Sequence, residues 1–106
     1  MDESNKRQGE NVKKFMTLHY GFEKPTPEIM GAWGKWFESI ADKVDSSGHF
    51  PGGREISHDG TKDLPMAKDS ITGYTVINAE NLDEAETIAQ GCPIIASTRI
   101  YEIMTG

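Results

Sequence analysis

The chain's capacity for chemistry rests on three histidines, His19, His49 and His58, and on the charged and glycine residues around the last two. The stretch GHFPGGREISHDG at residues 48–60 places two histidines, Arg54, a glycine pair and an Asp-Gly dipeptide together. Glycines beside an arginine could cradle an anion through backbone N–H groups and a guanidinium. Loops that bind phosphate in this way lead into a helix N-terminus, and this one does not, so a β-bulge at Gly52-Gly53 explains the glycines better. Asp59-Gly60 reads as a turn and His58 as its solvated neighbour.

An imidazole titrates near neutral pH, which makes His19 and His49 the candidates for a general acid or base. The competing reading of each is a structural histidine hydrogen-bonded on its strand. Arg54, Asp69, Arg99 and Tyr101 are the candidates for ligand binding. Arg99 and Tyr101 alternate onto one face of the last strand, where they could orient an anion; an ion pair and a packed ring are the ordinary alternatives. No pair of histidines has helical spacing, and no metal site is expected, although a fold could still gather them with Asp69 or Glu102. HExxH, P-loop, GxGxxG and GxSxG patterns are absent, so the corresponding chemistries lack sequence support and no cofactor is expected.

The elements that must position these residues belong to a small chain. With 106 residues, 36% hydrophobic and 26% charged, it reads as one globular domain over 12–106 behind a polar, disordered tail at 1–11. The net charge of −6 and the lack of a basic stripe argue against nucleic acid and against acidic membrane surfaces. No spanning run or signal-peptide core is present, which suggests a cytoplasmic protein. The single cysteine, Cys92, has no partner for an intrachain disulfide or a CxxC motif and reads as a buried thiol.

Residues 14–20 alternate as a strand, with Phe15, Thr17 and His19 on one face and Met16, Leu18 and Tyr20 on the other. Thr26-Pro27-Glu28 starts a helix whose apolar stripe of Ile29, Trp33, Trp36, Phe37, Ile40, Ala41 and Val44 carries it to about Asp45. A second strand is expected from His49 to Ile56, with Pro51 confining it to an edge or a bulge. Residues 71–79 form the clearest strand. Asn81 and Glu84 have the spacing of a capping box for a helix with Leu82, Ala85, Ile88 and Ala89 on its apolar face, stopped by Gly91 and Pro93. A last strand covers 97–104.

The order βαββαβ is that of the α+β, ferredoxin-like fold: a four-stranded antiparallel sheet with two helices on one face. Both faces of the strands carry apolar groups, and two helices cover only one, so a homodimer through the second face is expected. The Met16/Leu18/Tyr20 face suits the helices, which would leave His19 on the sheet-to-sheet side.

The segments KFMTLHYG, PTPEIMGAWGKWFESI, DLPM with KDSITGY, and NLDEAETIAQGCPI resemble, in order and spacing, the YCII-related family and its branch named for an Asp-Gly-Pro-Phe (DGPF) motif, over about Val12 to Met104. Asp63-Leu64-Pro65-Met66 keeps the Asp and Pro of that motif and lacks its Gly and Phe. The resemblance implies a dimeric α+β barrel enclosing a cavity and, for most members, no established reaction; a small organic ligand bound in that shared cavity is the leading expectation. In one branch it implies a His/Asp pair on the first helix; Asp45 could be the acid, but this helix has no histidine and the role is not carried over. Its branch is often associated with alternative sigma factors, which implies a regulatory setting as the alternative to acid/base catalysis.

Overall fold

A computed structural model describes residues 12–104, so the expected tail at 1–11 lies outside the described residues. The elements run β1 (Lys13–Tyr20), α1 (Pro27–Ser39), β2 (Val44–His49), β3 (Gly53–Ser57), β4 (Gly60–Leu64), β5 (Ile71–Ala79), α2 (Leu82–Ala89) and β6 (Ser97–Ile103). Strands β2-β5-β1-β6 form one sheet, in which every neighbouring pair is antiparallel, while β3 and β4 pair apart from it. This is the expected α+β plan with both helices on one face: Trp36 and Ile40 from the α1 side and Ala85 from α2 share a core with Phe15 and Ile77. No helix among the described residues is long and apolar enough to cross a membrane.

Local chemistry sets the helix starts. Thr26 Oγ1 accepts the Ile29 N–H at 3.1 Å ahead of Pro27, and Asn81 Oδ1 accepts the Glu84 N–H at 2.8 Å. Glu84 then reaches back to accept the Glu80 N–H at 2.8 Å, closing the expected reciprocal cap one residue earlier than the standard box.

Two boundaries depart from expectation. Helix α1 stops at Ser39 rather than near Asp45, because Lys43 and Val44 both donate to the Ile40 carbonyl and turn the chain directly into β2. Val44 therefore meets the core from a strand, so a helical spacing was shared by two different elements. The strand expected over His49–Ile56 is two strands. Phe50 still donates to the Thr72 carbonyl at 2.9 Å, but Pro51 and Gly52 then lead the chain out of the sheet, and the glycine pair marks that exit instead of a bulge.

The separate hairpin follows. Its turn over His58 and Asp59 ends on Gly60, whose φ of +126° is a region that side chains rarely adopt. A Cβ at Gly60 would meet nothing within 4 Å, so a side chain there carries a conformational cost alone. Gly60→Ala should cost about 1–3 kcal/mol, confined to the hairpin. Hydrogen exchange should quicken at the Glu55 and Lys62 amides, the ladder pair nearest the turn closure, while β1 and β5 keep their protection; equal quickening in both places would contradict this separation.

Candidate functional site

Burial along β1 alternates from Phe15 to Tyr20, and the fully covered positions are Phe15, Thr17 and His19. His19 thus lies under the helices, which corrects its expected place on the sheet-to-sheet side. The face expectation gave the helices the more apolar of two sets, but the uncovered set is also apolar, and the polar pair Thr17 and His19 is buried because it is hydrogen-bonded. His19 Nε2 lies 3.0 Å from Thr75 Oγ1 and 3.3 Å from Thr17 Oγ1. Thr17 gives its only proton to the Thr75 carbonyl at 2.9 Å, so toward the imidazole it can only accept.

Above the ring, Trp33 and Trp36 meet it edge-on at 4.9 and 6.0 Å. Nδ1 is buried without a hydrogen-bond partner. Burial lowers the His19 pKa from 6.5 to about 4, so the ring is neutral at pH 7. His49 occupies the same face, since both histidines are register partners of Gly73, but it is exposed at the end of edge strand β2. Neither imidazole faces the other side of the sheet.

That other side is built by register. One row across the strands is Arg99, Leu18, Tyr74 and Gly48; the next is Tyr101, Met16, Val76 and Ser46. Gly48 is required there: a Cβ would stand 2.6 Å from Tyr74 Cε1, so its absence lets the tyrosine ring lie across β2. Phe50 stacks on the same ring at 5.6 Å. Arg99 lies over the Tyr20 ring with its guanidinium carbon 4.7 Å from the centroid, a cation–π pair that orients the charge without neutralising it. Arg99 forms no ion pair among the described residues. Tyr101, half-exposed, shares its face.

Of the expected ligand-binding residues the structure brings together Arg99 and Tyr101 alone. Arg54 sits on β3, where its Nε donates to Asp63 Oδ1 at 3.1 Å, with both side chains in solvent. Asp69 is exposed in the connection from β4 to β5. Tyr20, Tyr74 and Phe50 complete the face and were not singled out as ligand contacts. The period of two in β1 places Tyr20 with Leu18, and only the cross-strand register adds Arg99. No group of three or more His, Cys, Asp or Glu residues among those described could hold a metal ion. Cys92 is buried, and burial pushes its thiol pKa up, so it is a poor nucleophile.

The family model for the YCII-related domain matches residues 14–105. Among solved structures, the chain is similar to 5-chloro-2-hydroxyhydroquinone dehydrochlorinase from Burkholderia phenoliruptrix AC1100, in complex with 2,5-dihydroxybenzoquinone. The two share 17% identity over 88% of this chain and 95% of that one, with a TM-score of 0.56, a likeness of fold. No curated protein matches the chain.

Proposed function

Because the chain belongs to the YCII-related domain family, we propose that two copies pair through the open faces of their sheets and hold a small organic anion in the space between them. An antiparallel sheet normally solvates its free face with polar side chains. Here that face offers Met16, Leu18, Tyr20, Tyr74 and Tyr101, which calls for a cover.

The observation that carries the ligand reading is Arg99. It is a permanently charged fork held over Tyr20 in an aromatic setting, with no carboxylate paired to it among the described residues. A ligand with a carboxylate and a planar ring would meet the guanidinium through one group and the tyrosines through the other. The solved relative on this fold binds a small ring, 2,5-dihydroxybenzoquinone, which supports a ligand of that size.

A ligand placed there meets tyrosines and an arginine but neither His19 nor His49. The arrangement favours binding over histidine acid/base catalysis, and with it a ligand-responsive regulatory module. The test is calorimetry with aromatic carboxylates and their uncharged amides. A carboxylate should bind the wild type at least tenfold more tightly than its amide, and Arg99→Ala should erase the difference, since a charge-assisted hydrogen bond contributes about 1.5–3 kcal/mol. Equal binding of one carboxylate to wild type and Arg99→Ala would remove Arg99 from the site.

A further inference from the structure

The hairpin of β3 and β4 is an element without a visible means of support. All ten of its residues are exposed, its strands pack chiefly on each other, and Ile56 stands 80% exposed with Leu64 at 40%. A two-stranded ribbon on its own is at best marginally stable in water. This one has a good turn, the Arg54–Asp63 ion pair and Glu55 opposite Lys62, yet exposed cross-strand pairs of that kind contribute only tenths of a kcal/mol each. A packing partner is therefore missing.

We propose that the hairpin is an arm that lies on a second copy of this chain and clasps the pair of sheets described above; the inference rests on that pairing. Two observations select the second copy. The root of the arm is continuous with the open face, because Phe50, immediately before the Pro51-Gly52 exit, stacks on Tyr74 at 5.6 Å. The open face is also a small footprint for a stable pair. Four strands spaced about 4.8 Å apart and roughly 25 Å long present a flat area of about 500 Å², whereas stable interfaces bury about 800 Å² on each partner. An arm from each chain, laid on the other, supplies the shortfall and gives Ile56 an apolar contact. The charges permit it: Arg54 and Lys62 balance Glu55 and Asp63 along the strands, and Asp59 at the turn leaves the arm only one net negative charge with which to approach an acidic copy.

The experiment is sedimentation equilibrium of the full chain beside Ile56→Glu and, as a control, Ile94→Glu, which alters another exposed isoleucine on the groove between α2 and β6. The wild type is expected to be dimeric at micromolar concentration, Ile56→Glu to raise the dimer dissociation constant at least tenfold, and Ile94→Glu to leave it unchanged. A photoreactive label on the Ile56→Cys variant should then yield a covalent dimer, because Cys92 is buried and stays unlabelled. A monomeric wild type would overturn the pairing and the arm together. A dimeric wild type whose dissociation constant ignores Ile56→Glu, or whose labelled arm captures no second copy, would overturn the arm and leave the pairing standing.

Discussion

Acidification from pH 6.5 to about 4 should remove roughly 3 kcal/mol of stability through His19 alone. Unfolded, the imidazole titrates at the ordinary 6.5; folded, burial holds it down to about 4. Above pH 6.5 both states are neutral there and the group contributes no pH dependence. Between the two values the unfolded chain takes up a proton that the folded chain refuses, so folding loses about 1.4 kcal/mol per pH unit. Below about 4 both states are protonated and the loss levels off. The cause is structural: Nε2 is shared between Thr17 and Thr75, two indoles roof the ring, and no carboxylate is among the groups that shift its pKa. Urea unfolding at intervals from pH 7.5 to 4 measures the effect, compared with His19→Leu, which removes the titration whatever it does to stability at pH 7. Other acidic groups contribute equally to both proteins, so the difference in slope isolates His19. Parallel curves, or an imidazole NMR titration with a midpoint near 6.5, would show that the ring is not buried as described.

That histidine also shows how far the sequence could be read and where it stopped. Strand β5 and the caps Thr26 and Asn81 were legible because each is decided within a few residues by alternation, an oxygen acceptor or a proline. The pairing partner of Leu18 was not, since register depends on contacts distant in the chain, and only register brings Arg99 beside Tyr20. The face of β1 was misread for a related reason. A Thr/His set looks less suited to the helices than Met16, Leu18 and Tyr20 until Thr75, far along the chain, supplies its hydrogen-bond partners. Leu82 reads as part of the α2 stripe yet is 54% exposed, with Ala85 and Ala89 making the buried contact. The glycine pair after Pro51 signalled a break in a strand. It did not reveal that the chain leaves the sheet there to build a hairpin, and with it Arg54 passes out of the site.

The larger loss of stability is expected at Trp36, the side chain that joins both helices to the histidine. It is 4% exposed, packs edge-on against Trp33 at 5.7 Å and tilted against Phe37 at 5.1 Å, and its Nε1 donates to the Ile88 carbonyl in α2 at 2.9 Å. At eight residues, α2 is too short to persist by its own propensity, so this bond and its alanine contacts hold it in place. Trp36→Ala should cost about 3–5 kcal/mol, a large fraction of the roughly 5–15 kcal/mol that domains possess. Trp36→Phe, which retains most of the packing and loses the hydrogen bond, should cost about 1–2 kcal/mol and keeps the test available if the alanine variant does not fold. The two predictions are coupled. Removing the indole admits water to His19 and brings its folded pKa back toward 6.5, so the variant has less stability to lose on acidification. Urea unfolding of wild type and variant at pH 7 and pH 5 should therefore show a smaller gap between them at pH 5. A gap of constant size would mean that some group other than Trp36 keeps the imidazole neutral.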